Sequence, residues 1–200
     1  MVDTNSITIK LPGGLISAAR DDVTIRARGV KHASVDRFQL PAPLETWQGI
    51  MDCTGPAPTP PHIVPSLLDA VTDPMTRGRA QDEDCLWVTI AAPISAFIDG
   101  RKRPVMVFLD GDAYVLGSAD LDCYEASGLV KKDIVVVGIS YRLGSLGHFP
   151  VPGVASANLG LIDQITALQW IQKNITAFGA IPKMSLQLDN LLARTQRSAC

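Results

Sequence analysis

Ile134-Val135-Val136-Val137-Gly138-Ile139 carries no polar or charged side chain. A strand points successive side chains to opposite faces, so this run is apolar on both, the pattern of a strand buried inside a sheet. Val105-Met106-Val107-Phe108-Leu109 reads the same way. A polar connection separates the two, and its Lys131-Lys132-Asp133 marks the end of a short helix. Two such strands joined by a crossover are predicted to be parallel neighbours. Downstream, Leu161, Ile165, Leu168, Ile171 and Ile175 recur at helical spacing. They predict a helix from about Asn158 to Phe178 that packs on the sheet by its Leu161, Ile165 and Leu168 face, with Asn158 as N-cap and Gly179 as C-terminal stop. Trp170 and Phe178 are read as core. Strand, crossover, strand and helix in this order define an α/β fold.

Working outward, Ile7-Thr8-Ile9 and Val23-Thr24-Ile25 flank the turn signal Pro12-Gly13-Gly14, which predicts an N-terminal β-hairpin or small meander. The proline-rich stretch from Pro41 to Pro65 is an irregular surface wrap, within which His62 falls and close to which His32 lies. A strand is predicted at Leu86 to Ile90, and another begins at Lys183 to Leu188. Beyond that, Leu191 to Cys200 shows no strand-turn-helix pattern.

Bulk properties exclude several classes. The 200 residues are 46% hydrophobic and 19% charged, so the chain has material for a core. Its formal charge of -2 leaves no basic stripe for phosphates, and no nucleic-acid partner is expected. No apolar run approaches the roughly 20 residues that span a bilayer, so no membrane partner is expected either. Met1 to Asn5 shows neither a basic nor an apolar leader region, which makes a cytoplasmic location the expectation. Cys53, Cys85, Cys123 and Cys200 lack metal-ligand spacing; no metal and no cofactor are expected.

Several segments, taken in order, resemble the type-B carboxylesterases, cholinesterase-like α/β-hydrolases. Arg37-Phe38, Pro41-Ala42-Pro43 and Trp47-Gln48-Gly49 resemble that family's early "RF…P.P…W.G" segment, and Glu83-Asp84-Cys85-Leu86 its "EDCL". Pro104 to Leu109, leading into Asp110-Gly111-Asp112-Ala113-Tyr114 and Gly117-Ser118, resembles "PVMVW.HGG(G/A)(F/Y)…GS". Tyr141-Arg142-Leu143-Gly144 with Leu146-Gly147-His148-Phe149 resembles "NYRLG.LGF". The most specific match runs from Asn158-Leu159-Gly160-Leu161-Ile162-Asp163-Gln164 to Ala177-Phe178-Gly179. The resemblance implies a truncated α/β-hydrolase fold with an N-terminal β-hairpin and a central, mostly parallel sheet. Residues 1–182 form the N-terminal part of that domain and 183–200 a divergent tail. It also implies an early disulfide loop, for which Cys53 and Cys85 are the candidates, although Pro58 stands at the expected place of the first cysteine.

Serine-type ester hydrolysis, with a small-molecule ester as substrate, is the activity the resemblance implies. It needs a nucleophile, a histidine base, an orienting carboxylate and N–H donors for the oxyanion. No serine stands in the G-x-S-x-G frame that permits the strained strand-to-helix turn. Ser140 has Gly138 before it but Arg142 where the second glycine belongs, and Gln196-Arg197-Ser198-Ala199-Cys200 lacks both glycines. The family's catalytic histidine and acid lie further downstream, so no catalytic residue is assigned and inactivity is expected. His148 is read as a packing residue.

The oxyanion turn is Gly111, Asp112 and Ala113, altered because Asp110 stands in place of histidine and Asp112 in place of glycine. Asp110, Asp112, Asp120 and Asp122 match no calcium-loop spacing. Asn174-Ile175-Thr176 fits a glycosylation pattern but falls within the predicted helix. A non-catalytic cholinesterase-like binding module, or a degenerate product, is the alternative reading. A sheet lacking downstream strands and helices is further expected to leave the Ile134 to Ile139 strand with an open edge or face, inviting self-association.

Overall fold

The computed structural model describes residues 5–63, 79–121, 124 and 126–188. Its strands are β1 (Ser6–Leu11), β2 (Gly14–Arg20), β3 (Thr24–Lys31), β4 (Ala33–Ser34), β5 (Ala42–Pro43), β6 (Ile50–Cys53), β7 (Trp87–Pro93), β8 (Arg103–Leu109), β9 (Val135–Ile139) and β10 (Ala180–Leu188). Its helices are α1 (Ser127–Val130), α2 (Gly144–His148) and α3 (Leu159–Asn174), the last continued by a 3-10 turn at Ile175–Phe178.

The main sheet runs β1-β2-β3-β7-β9-β8-β10, with β6 added parallel to β2. It is mixed. β1, β2, β3, β7 and β9 pair antiparallel in turn, whereas β9, β8 and β10 are parallel. The predicted N-terminal hairpin or meander is a meander, β1-β2-β3, with residues 7–9 in β1, residues 24–25 in β3 and the unpredicted β2 between them. The predicted parallel pair is β8–β9, in the register Val105↔Val135 to Leu109↔Ile139. One expectation about β9 needs correcting: it has no open edge, because β7 and β8 flank it on either side. The outermost strand of that half is β10, paired to β8.

Alternation sorts the two faces. Val105, Val107, Leu109, Val135, Val137 and Ile139 are buried in one core with Ala167, Trp170, Ile171, Ile175 and Phe178. The other face carries Met106, Phe108 and Val136, only half-buried, beside a cavity of about 180 Å³ that Tyr124 and Leu129 help to line. Phe108 and Tyr124 meet there, tilted by 56°, with centroids 4.6 Å apart.

The predicted helix is present, but its buried face differs from the predicted one. Leu161 is 39% exposed and Ile165 50%, and Leu168 is only partly buried against the core. The face turned inward is Leu159, Asp163, Ala167, Trp170, Ile171 and Asn174, also at helical spacing. The cause is an ion pair. Asp163 is fully buried because Arg142 Nε donates to its Oδ2 at 2.8 Å and Arg142 Nη2 to its Oδ1 at 2.7 Å. A paired carboxylate can occupy a core position that apolarity alone assigns to leucine. Asn158 occupies the N-cap position, as predicted, with φ 64°, but makes no side-chain capping bond.

Motifs distant in sequence are tied by charge. Arg37 of the "RF" segment pairs with Glu83 of "EDCL", and Lys31 pairs with Asp84. Arg103, 1% exposed, is held by Asp99 and Asp133 at the foot of β8.

Candidate active site

The parallel strands β8, β9 and β10 end together, and the chain leaves β8 for a neighbour on one side and β9 for a strand on the other. Crevices at the carboxyl ends of such strands, where strand order reverses, are where open α/β sheets bind ligands. The oxyanion turn predicted at Gly111, Asp112 and Ala113 lies directly after β8.

Residues Asp112–Tyr114 form a 3-10 turn whose interior departs from helical geometry: Ala113 has φ 56°, ψ 28°, and Tyr114 has φ 64°. Neither residue is glycine, and each such conformation costs on the order of 1–3 kcal/mol. An oxyanion is stabilised by backbone N–H groups held in a turn of fixed geometry. Asp110 is buried at 4% exposure and its carbonyl accepts a hydrogen bond from Tyr141 Oη at 3.2 Å.

The tyrosine is one member of an aromatic group against the turn. Tyr114 and His148 lie 4.9 Å apart between centroids, and each is 6.5 Å from Tyr141. Burial holds the His148 imidazole below its ordinary pKa, with Asp163 opposing that shift. His148 is a packing residue, as its sequence context indicated, and its neighbour is Tyr114 of the turn after β8. Gly160 makes room for it, since a Cβ there would meet the His148 ring at 2.9 Å. Tyr141 belongs to the Tyr141-Arg142-Leu143-Gly144 motif, which by itself gives it no role. What sequence lacks is any sign that residues 114, 141 and 148 converge.

Next to the turn is an open hollow of about 620 Å³, walled by Val115, Leu116, Leu143 and Leu146, with Pro61 and Gln81 at its margin.

The remaining candidate residues are placed as follows. Ser140 is buried at the end of β9, its Oγ 3.2 Å from Ser118 Oγ and accepting from the Ala119 N–H at 3.3 Å, so it is no strained elbow. Ser198 and Asp122 lie outside the described residues. Asp120 is held by Arg28 at 2.7 Å and Arg79 at 3.2 Å. Among the described residues no group of histidine, cysteine and carboxylate side chains is arranged to hold a metal. Asn174 is 6% exposed and its Nδ2 donates to the Trp170 carbonyl at 2.8 Å, which closes it to glycosylation.

Cys53 and Cys85 are both free and buried, in separate clusters, so the disulfide that the resemblance implied does not link them. His32 was placed beside an irregular wrap by sequence, yet it is fully buried, and burial pushes its imidazole down to about 3.

The fold, with its parallel strands β9, β8 and β10 ending together, is that of an α/β-hydrolase. The profile of the carboxylesterase family matches residues 25–184, and the chain belongs to that family. A protein described as a probable N-octanoylanthranilate hydrolase of Rhodococcus erythropolis is 42% identical over 160 residues, covering 79% of this chain and 34% of its own length. The para-nitrobenzyl esterase of Bacillus subtilis is 36% identical over 150 residues, covering 73% of this chain and 29% of its own length.

Solved structures agree. A PNB esterase superposes with a TM-score of 0.80 at 31% identity, over 92% of this chain and 38% of that one. The juvenile hormone esterase of Manduca sexta does so with a TM-score of 0.80 at 29% identity, over 92% and 36%. The chain thus spans about a third of the length of the curated relatives it matches.

Proposed function

We propose that this chain supplies the sheet and the oxyanion turn of a serine-type carboxylic ester hydrolase, and that the 200 residues by themselves do not turn over esters. The single observation that carries the first half is the left-handed Ala113–Tyr114 turn at the carboxyl end of β8, in a chain of the carboxylesterase family. The hollow walled by Val115, Leu116, Leu143 and Leu146 supports an ester with an apolar acyl or alcohol group, since apolar side chains make up most of its wall among the described residues, with His62 and Gln81 beside them.

The second half rests on sequence. These residues contain no G-x-S-x-G, and acyl transfer without a nucleophile loses the covalent step that divides the barrier. The sequence puts aspartates at 110 and 112 where the resemblance has histidine and glycine, and a carboxylate beside a developing oxyanion opposes that charge at short range. As for partners, the half-open face of Met106, Phe108 and Val136 supports self-association.

The test is hydrolysis of p-nitrophenyl acetate and octanoate by the purified chain, with a fluorophosphonate probe in parallel. The expected result is release at the buffer rate and no labelled serine. Saturable turnover that the probe abolishes would overturn the inactive reading.

A further inference from the structure

Ala113 and Tyr114 are consecutive L-residues in the left-handed region, at φ 56° and φ 64°. There the Cβ crowds its own backbone, and neither side chain is an asparagine or aspartate that could compensate locally. Such a backbone persists only where its surroundings over-determine it. The surroundings are specific. The Tyr114 ring lies on His148, tilted by 52°, and meets Tyr141 edge-on at 63°, while His148 and Tyr141 stand at 88° to each other. Tyr141, 1% exposed, also anchors the front of the turn through the Asp110 carbonyl. His148 is fixed from behind, at the end of α2 and against Gly160 of α3.

We propose that His148 and Tyr141 are positioning residues, a rigid aromatic clamp that holds the 111–114 turn in its strained left-handed form and so aims its N–H groups. The clamp is a property of these contacts alone; its bearing on ester chemistry rests on the function proposed above. His148 acts through Tyr114, and Tyr141 through Tyr114 and the Asp110 carbonyl.

The experiment is backbone NMR relaxation on the full chain, which reads the clamp without any catalysis. In the unmodified protein, order parameters at Ala113 and Tyr114 are expected in the rigid range near 0.85. His148→Ala is expected to drop them below about 0.6 while Val135 to Ile139 stay rigid, and His148→Phe is expected to restore them. Ala113→Gly provides a control, because glycine adopts φ above zero without strain: with that part of the strain gone, His148→Ala should lower the order parameters at 113–114 by less than it does in the unmodified protein. Tyr114→Ala, at a 44% exposed side chain, removes the other half of the contact and should loosen the turn even if His148→Ala fails to fold. The proposal is overturned if the turn stays rigid in Tyr114→Ala, or if His148→Phe loosens it as much as His148→Ala does.

Discussion

Arg142 and Asp163 meet inside the protein, 3% and 0% exposed, in a two-pronged ion pair with contacts of 2.8 and 2.7 Å. The Arg142 N–H also donates to Asp163 Oδ2 at 3.2 Å, and Arg142 Nη1 donates to the Gln39 carbonyl at 2.7 Å. One arginine thus ties the end of β9 to the first turns of α3 and to the 36–44 loop.

Removing one partner strands the other. Asp163→Asn is expected to destabilise the chain by about 3–5 kcal/mol, because the guanidinium stays buried without its counter-charge. The double variant Arg142→Met, Asp163→Leu should recover most of that loss. Urea unfolding of the three proteins checks both; a double variant as unstable as the single one would contradict the argument.

The two faces of α3 give a sharp contrast. Ile171→Ala opens a cavity in the core and should cost about 2–5 kcal/mol. Ile165→Ser, on the exposed side, should change stability by less than about 0.5 kcal/mol. Equal losses in thermal melts would mean that the outward face is in fact packed.

His32 makes stability pH-dependent. Its folded pKa, about 3, lies below the ordinary 6.5, so between these values the unfolded chain binds the proton and the folded one does not. Stability is therefore complete above pH 6.5 and falls as pH drops toward 3, by about 2 kcal/mol between pH 7 and pH 5. His148, also lowered, adds in the same sense. His32→Phe should remove most of the slope in this window, read by urea unfolding at pH 7 and pH 5. The paired carboxylates Asp99 and Glu83, also lowered, titrate below it.

Burial pushes the Cys53 thiol up to about 12, and the Cys85 thiol is raised further by the same cause. Since the thiolate is the reactive form, both should resist iodoacetamide at pH 8 in the folded chain and react fully in denaturant. Peptide mapping by mass spectrometry distinguishes the sites; rapid labelling of Cys85 in buffer would contradict the described burial.

Much of the architecture was legible in the chain itself. Uninterrupted apolar runs at Val105 to Leu109 and at Ile134 to Ile139 specify strands inside a sheet, because period-two alternation leaves them no polar side, although the face of Met106, Phe108 and Val136 is only half-buried. Pro12-Gly13 specifies a turn, and Gly179, at φ 72°, ends the last helical turn where only a residue without Cβ is at ease. The ordered motifs from Arg37 to Gly179 were enough to indicate the family. Tertiary structure decided what depends on partners far apart in sequence. Asp163 reads as a solvent-facing residue until Arg142 neutralises it, and that pair rotates the buried face of α3 away from Leu161 and Ile165. His32 reads as part of a loop until the sheet closes over it. Tyr114, Tyr141 and His148 carry no mutual signal in the sequence; they form a clamp only because β8, β9 and α2 end at the same edge of the sheet, where packing can hold a backbone that its own residues do not favour.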